Sequence, residues 1–222
     1  MSDLCAGVPD SGLKLLAAIS THLHLAPGET LILDGDAADQ VYNVVSGTLM
    51  MTRLGADGRR QILAFLLPGD YIGFAADQLY RFNVEAVSDA ELCRFERRKL
   101  EPLFTAYPEM ERRFRRMAAK TIEASLDLIF TLGRRNATER MAAFLLHLRD
   151  AQRAEMAGEP APDHRWQIPM TRTDIAGYLG LTIETVSRVL SRLKKKGVLR
   201  LPTLHSFEIA DEAGLIAAAG DA

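Results

Sequence analysis

The sequence has few cysteines and no long apolar run. Its 222 residues include two cysteines, Cys5 and Cys93, which are too few for a disulfide framework and lack the paired spacing of a zinc or ordinary iron–sulfur site. No stretch approaches the ~18 apolar residues that a membrane span needs, and the N-terminus has no basic region followed by a long apolar stretch. We therefore expect a soluble, cytoplasmic protein in a reducing compartment.

Histidine is also sparse, with five residues scattered along the chain. A metal-dependent enzyme on a β-rich fold needs two or three histidines and a glutamate that converge at ligand spacing. The sequence offers no such set, so it argues against an enzyme. It predicts neither a metal site nor catalytic residues.

The charges that are present are segregated along the chain. The formal net charge is −2, but between Arg165 and Arg200 five arginines and three lysines stand against Asp174 and Glu184, a net of +6 that leaves −8 for the rest. A short basic region on an acidic protein is typical of a module that neutralises nucleic-acid phosphates. A merely solvated basic face has a similar composition, so the charge alone leaves both readings open.

Short apolar runs separated by turn residues follow one another from Thr30 to Phe95. Segments such as Asp34-Gly35-Asp36 and Pro68-Gly69-Asp70 break the chain at the regular intervals of an antiparallel roll or barrel. We therefore predict an all-β first domain with short flanking helices over residues 1–108. The predicted strands are Thr30–Leu33, Val41–Val45, Thr48–Arg53, Gln61–Leu66, Asn83–Val87 and Glu91–Phe95.

Glu109–Leu132 contains no glycine or proline and predicts one long helix, which with a hinge forms a connecting segment over residues 109–135. Part of the helix carries a stripe at alternating four- and three-residue spacing, as in a coiled coil. The stripe could bury itself against a second copy of the helix or against the chain's own β domain. The candidate dimer interface comprises Phe114, Met117, Ala118, Thr121, Ile122, Ser125, Ile129 and Leu132.

The remainder, residues 136–222, reads as a second domain. Asn136–Asp150 is an amphipathic helix with Asn136 or Thr138 as its cap. Ala157–His164 is a loop because it carries one glycine and two prolines. The alternation of Trp166, Ile168 and Met170 predicts a short strand.

Thr171–Lys195 is the most informative segment, because it reads as two helices joined by a tight turn. Apolar residues give the first helix a buried face, and Gly180 supplies the turn. Thr182 is a good N-cap for the second helix, whose inner stripe is Ile183, Val186, Val189, Leu190 and Leu193. Val198–Leu201 and Ser206–Ile209 can form the strands of a wing.

The outer face of the second helix carries the side chains that a recognition helix presents to bases. Arg188 can donate two hydrogen bonds to guanine, Glu184 can accept from cytosine, and Ser187 can bond either way. We therefore predict these three as base-reading residues. Candidate contacts to the DNA backbone are Thr171, Arg172, Thr173, Thr182, Thr185, Arg192, Lys194, Lys195 and Lys196.

The segment Glu184-Thr185-Val186-Ser187-Arg188 resembles the Glu-x-x-Ser-Arg signature of the Fnr and FixK branch of the Crp-Fnr family of transcription regulators. The resemblance extends over nearly the whole chain and includes Asp57-Gly58-Arg59-Arg60-Gln61-Ile62 and Asn136-Ala137-Thr138-Glu139-Arg140. It implies an α+β fold with an N-terminal cyclic-nucleotide-binding-type β-roll, a long dimerisation helix and a C-terminal winged helix-turn-helix. It also implies a homodimer on a TTGAT-NNNN-ATCAA palindrome, with RNA polymerase as a partner.

The resemblance leaves several sensing modes to weigh. The family's cyclic-nucleotide sensors use a Gly-Glu pair and an arginine followed by serine or threonine, whereas here Phe74 stands where the glutamate would and Phe82 follows Arg81. Its oxygen sensors hold a four-iron cluster with four cysteines, whereas here only Cys93 resembles one of those ligands in position and Cys5 stands alone. We therefore expect neither cofactor.

Two other sensing modes stay open, and a third alternative is that nothing is bound. A haem would need an axial ligand, for which His22, His24 and His147 are the candidates. A small effector could fill an apolar pocket lined by Phe65, Leu67, Phe74 and Leu79, although such residues more often form core. We favour a FixK-like regulator without a cofactor, with Cys5 and Cys93 as candidate redox residues.

Overall fold

A computed structural model describes residues 10–73, 75, 78–156 and 165–220. Cys5, Phe74 and the predicted loop Ala157–His164 lie outside these residues. The chain divides into two compact units, residues 1–124 and 125–222. None of the described helices is long and apolar enough to cross a membrane.

The described residues of the first unit form eight strands and two complete helices. Its elements are α1 (Asp10–Ile19), β1 (Ser20–Leu25), β2 (Thr30–Ile32), β3 (Gln40–Ser46), β4 (Leu49–Leu54), β5 (Arg60–Leu66), β6 (Tyr71–Ile72), β7 (Asn83–Ala86), β8 (Ala90–Glu96) and α2 (Arg97–Ala106). The long helix α3 (Pro108–Arg134) then runs across the division between the units.

The strands form two four-stranded antiparallel sheets, in the orders β1-β8-β3-β6 and β2-β7-β4-β5. Their facing sides bury a core that includes Val44, Leu49, Val84 and Leu92. The six strands predicted from the sequence are confirmed as β2, β3, β4, β5, β7 and β8, with ends that differ by a few residues. The β-roll expected for the first domain is therefore present.

A second core lies on the other face of the β1-β8-β3-β6 sheet. Because side chains alternate along a strand, Val41 and Phe95 point away from the first core, and they pack with Leu100 of α2 and Met117 of α3. Phe114 of α3 joins this cluster, with its ring centroid 5.1 Å from that of Tyr71.

Two residues that were predicted for the dimer interface, Phe114 and Met117, pack in this second core. Met117 is buried, and Phe114 packs against it inside the first unit. The N-terminal turns of α3 cover the unit's own sheet. The spacing of apolar residues predicts a buried helix face, but it does not show whether that face packs on the same chain or on a second copy.

The second unit is a helical body with a three-stranded sheet in the order β10-β11-β9. Its elements after α3 are α4 (Ala137–Glu155), β9 (Arg165–Gln167), α5 (Arg172–Leu179), α6 (Ile183–Lys195), β10 (Leu199–Thr203), β11 (Ser206–Ile209) and α7 (Glu212–Ala219). The winged helix-turn-helix expected at the C-terminus is confirmed. The short strand predicted to run through Met170 is β9, which ends at Gln167. Beyond it, the backbone N–H of Ile168 donates a hydrogen bond to the carbonyl of His205.

Helix α4 begins at a capping box. The side chain of Asn136 accepts hydrogen bonds from the backbone N–H groups of Thr138 and Glu139, and the Glu139 carboxylate accepts one from the N–H of Asn136. Asn136 is therefore the cap. The helix buries Met141, Leu145 and Leu148 and extends beyond the predicted end at Asp150.

Arg140 joins the ends of two helices to α4. Its guanidinium donates three hydrogen bonds of 2.8 Å, from Nη2 to the carbonyl of Leu132, from Nε to that of Arg135 and from Nη1 to that of Leu179. Leu132 is in the last turn of α3 and Leu179 ends α5, so these carbonyls are ones that helical bonding leaves without donors. A cation there also opposes the negative end of each helix dipole.

We expect Arg140→Met to destabilise the second unit by about 3 kcal/mol, because methionine keeps the apolar stem and removes all three charge-assisted donors. Trp166, the only tryptophan of the chain, is buried in this unit. Its fluorescence during urea unfolding therefore reports on the unit directly.

Arg153→Met is the matched control, because Arg153 is an exposed arginine on the same helix. We expect its unfolding midpoint to stay at the wild-type value. Equal midpoints for the two variants would show that Arg140 does not hold the helix ends together.

Candidate nucleic-acid interface

Helix α5 begins at a second capping box. The hydroxyl of Thr171 accepts from the backbone N–H of Asp174 at 3.1 Å, and the Asp174 carboxylate accepts from the N–H of Thr171 at 3.0 Å. Ile175, Ala176 and Leu179 are buried. The capping thus fixes where the first helix starts, and the buried face fixes its rotation.

The turn between the helices is the one predicted from Gly180. The backbone of this glycine adopts the left-handed conformation, with φ +61°, and its N–H donates a hydrogen bond to the carbonyl of Ala176. A β-carbon at this position would lie 3.4 Å from Nη1 of Arg140 and 3.6 Å from Cδ2 of Leu132. Glycine is therefore favoured by the backbone conformation and by the close approach of the Arg140 guanidinium.

Helix α6 has one buried and one exposed face, as a recognition helix requires. Its N-cap is Thr182, as predicted, and the hydroxyl accepts from the N–H of Thr185 at 3.2 Å. The inner face consists of Val186, Val189, Leu190 and Leu193, all buried. Ile183 was expected in this stripe, but it is 44% exposed because it is the first residue of the helix and lies at the edge of the packed face.

The predicted base-reading residues lie on the outer side of α6. Glu184 and Arg188 are exposed, and Ser187 between them is half-buried. Nη2 of Arg188 donates to the hydroxyl of Thr185 at 3.1 Å. The structure therefore brings Glu184, Ser187 and Arg188 together on one turn of one helix.

Arg172, one of the candidate contacts to the DNA backbone, also contacts the recognition helix. Its Nη1 donates a 3.0 Å hydrogen bond to the Oγ of Ser187. The other candidate backbone contacts include exposed Thr171, Thr173, Thr182, Arg192, Lys194, Lys195 and Lys196 and half-buried Thr185. They flank the base-reading residues at the ends of α5 and α6.

The carboxylate of Glu184 is ionised at neutral pH. A hydrogen bond from its own backbone N–H, followed by one from the side chain of Thr182, lowers the pKa of Glu184, and the charge of Arg188 adds to this. Glu184 can therefore only accept hydrogen bonds from DNA. Tyr178 behaves differently, since burial raises its pKa to about 12 and its ring packs 5.8 Å from that of Phe144.

A groove of about 550 Å³ runs beside α6. One wall is the capping box of α4, with Asn136, Thr138 and Glu139, and the opposite wall includes Arg188 and Arg192. Sequence reasoning did not associate Thr138 with the interface, because about 50 residues separate it from α6 and no motif links them.

The candidate sensor residues are less concentrated. Cys93 is half-buried on β8, where it pairs with His22 and Asn43 on the neighbouring strands. His22 and His24 are exposed on β1, and His147 is exposed on α4. Over residues 10–73, 75, 78–156 and 165–220, no three His, Cys, Asp or Glu side chains form a group suited to a metal ion.

The residues considered for an apolar effector pocket differ in their exposure. Phe65 and Leu67 are buried, but Leu79 is 39% exposed. Tyr80, Ile32 and Leu92 are almost fully buried in the first core.

Comparison with known proteins supports both units of this architecture. The cyclic nucleotide-binding domain family matches residues 22–107, and the Crp-like helix-turn-helix domain family matches residues 139–218. Among solved structures, FixK2 from Bradyrhizobium japonicum has a TM-score of 0.81 at 32% identity, over 90% of this chain and 97% of that one.

Curated relatives match over nearly their whole length. The nitrogen fixation regulation protein FixK of Bradyrhizobium diazoefficiens is 34% identical over 201 residues, 90% of this chain and 83% of the relative. The transcriptional activator protein FnrL of Cereibacter sphaeroides is 34% identical over 218 residues, 98% of this chain and 88% of the relative. The chain therefore belongs to the Fnr and FixK branch of the Crp-Fnr family, and it is a DNA-binding transcription regulator rather than an enzyme.

Proposed function

We propose that the protein binds an inverted repeat of the type TTGAT-NNNN-ATCAA as a homodimer and does so without a bound cofactor. The observation that supports this most directly is the cluster of Glu184, Ser187 and Arg188 on the outer side of α6. The cluster matches the branch signature. It is held by a helix whose inner face is buried and whose start is capped.

Each residue of the cluster has a distinct role in reading bases. Arg188 donates to guanine, and the ionised Glu184 accepts from the amino group of cytosine. Exposed Ile183 beside them offers an apolar contact for a thymine methyl group. The flanking cations and hydroxyls, from Thr171 to Lys196, contact phosphates and set the register of α6 in the major groove.

The dimer is proposed from an exposed apolar stripe on α3. Ile122, Leu126, Ile129 and Phe130 are 55–67% exposed, and their spacing places them on one side of the helix. Large apolar side chains grouped in this way indicate a binding surface. A second copy of the same helix is the occupant we propose, because an inverted-repeat target requires a two-fold axis.

The cofactor-free mode is supported by the packing of the β-roll. Arg81 is exposed, and Phe82 packs against the core between the sheets with its ring 5.4 Å from that of Tyr80. An aromatic ring thus occupies the position where the family's cyclic-nucleotide sensors place a serine or threonine. The regulator then acts on RNA polymerase at its target promoters in the cytoplasm, with activity set by its abundance or by oxidation of Cys93.

We expect Arg188→Ala to weaken binding to the palindrome by about 1–3 kcal/mol per half-site and to relax discrimination at one base pair. Lys195→Ala, the matched control, should weaken binding to every sequence alike and flatten the salt dependence. The measurement is fluorescence anisotropy of the purified apo protein on a TTGAT-NNNN-ATCAA duplex and on a scrambled duplex at fixed salt. Equal losses on both duplexes for Arg188→Ala would contradict the base-reading role, and specific binding only after a ligand is added would contradict the cofactor-free mode.

We expect Ile129→Glu to convert the dimer into a monomer, because it would bury two unpaired carboxylates near the two-fold axis at a cost of several kcal/mol. Ala124→Glu is the control, since Ala124 is exposed on the opposite side of α3. Sedimentation equilibrium of the full-length proteins distinguishes the two states. A monomeric wild type, or a dimer that persists in Ile129→Glu, would show that the stripe is not the seam.

A further inference from the structure

Arg172 and Ser187 form a polar contact between the two helices of the helix-turn-helix. Arg172 is the first residue of α5, and its Nη1 donates a 3.0 Å hydrogen bond to Ser187 Oγ, five residues into α6. Both side chains are half-buried. The one base-reading residue whose chemistry is ambiguous is therefore held by a side chain of the preceding helix.

The chemistry of the two partners fixes the direction of this bond. A guanidinium has donors and no acceptor, so Ser187 Oγ must be the acceptor. The bond occupies one lone pair of the hydroxyl and leaves its proton unused. Because the donor carries a positive charge, the bond also polarises the hydroxyl and makes it a better donor to a further partner.

This arrangement removes a choice that a serine otherwise has at a base edge. An unconstrained serine hydroxyl can accept from an amino group or donate to a ring nitrogen or carbonyl. Because Arg172 donates to a lone pair of the Ser187 hydroxyl, the hydroxyl proton points away from the guanidinium. An amino group of a base would have to compete with Arg172 for the lone pairs of the same oxygen. An acceptor on the base is the better partner.

We propose that Arg172 is a positioning residue for base reading, which holds Ser187 as a hydrogen-bond donor toward an acceptor atom on a base edge. The acceptors of this kind in the major groove are purine N7, guanine O6 and thymine O4. The inference rests on the proposed function, because it concerns how the same cluster discriminates bases. It assigns to Arg172 a role in specificity as well as in affinity.

A contact of Arg172 with phosphate alone has different consequences. Loss of a phosphate contact weakens binding to all sequences alike and lowers the salt dependence. Loss of a positioning contact weakens binding at the base pair that Ser187 reads. It is also non-additive with the removal of Ser187, because both changes interrupt the same interaction.

The test measures full-length protein by fluorescence anisotropy on palindromes in which one base pair at a time is changed in both half-sites. We expect Ser187→Ala to reduce discrimination at one of these pairs by roughly three- to tenfold per half-site. Arg172→Met should reproduce that pattern, since methionine keeps the length and the apolar stem of arginine without its donors. The double variant should show no further loss of discrimination.

Arg192→Met is the matched control, because Arg192 is an exposed arginine on α6 and a candidate phosphate contact. It should weaken binding to all duplexes by one common factor and add in full to Ser187→Ala. If Arg172→Met behaves in the same way as Arg192→Met, the positioning role is overturned. If the wild type discriminates no duplex, the proposed function itself fails, which is a distinct outcome.

Base analogues in the palindrome test the direction of the hydrogen bond with the wild-type protein, once Ser187→Ala has identified the base pair. At the pair that Ser187 reads, an analogue that lacks the acceptor atom, such as a 7-deazapurine, should abolish the contribution of Ser187. An adenine analogue that lacks only the amino group should leave it unchanged. Sensitivity to the amino group instead of the acceptor would overturn the proposal.

Discussion

The DNA-binding unit depends on one set of hydrogen bonds, in which the guanidinium of Arg140 donates to three backbone carbonyls at or just beyond the ends of helices. Unpaired carbonyls in a half-buried junction would each cost free energy. Arginine suits this place because it is always charged and has five donors in a fixed plane. One side chain thereby sets the last turn of α3, the start of α4 and the end of α5 in a single geometry.

The consequence for function is that the recognition helix is not attached to the stripe of α3 by a loose tether. The division between the compact units falls before Leu126, Ile129 and Phe130, so these residues belong with the helix-turn-helix. If the stripe is a dimer seam, the spacing of two recognition helices is set within the second unit, and half-site spacing follows from that geometry.

Local patterns were sufficient to predict much of the fold. The six predicted strands and the helix-turn-helix were correct because turn residues, caps and apolar spacing act over a few residues. Strand β6 was not predicted, since two residues, Tyr71 and Ile72, are too short to show alternation. Phe114 and Met117 were placed in a dimer interface because an apolar stripe does not reveal which surface covers it.

The candidate site was predictable in its residues but not in its hydrogen bonds. Glu184, Ser187 and Arg188 follow from a motif within one helix. Arg172 is 15 residues from Ser187 in the chain, and Arg140 is 39 residues from Leu179. Such pairs depend on how helices cross, which no local pattern records. From the sequence, Arg172 is therefore predicted only as a phosphate contact, which is the usual interpretation of an arginine in a basic segment.

The ionised Glu184 carboxylate near the start of α6 is opposed by exposed cations in the last turn of the helix, Arg192, Lys194 and Lys195. A carboxylate that faces the major groove is repelled by phosphates on either side, so it weakens binding to any DNA that lacks a suitable amino group. The exposed cations at the C-terminal end of α6 offset that repulsion without regard to sequence. In the proposed base-reading role, the cost of Glu184 is recovered only at the correct base pair, so this residue gains specificity by weakening non-specific binding. The Glu184 carboxylate keeps its charge throughout the neutral pH range, as an ordinary glutamate does, and hydrogen bonds from its own backbone N–H and from Thr182 lower the pKa of Glu184 further.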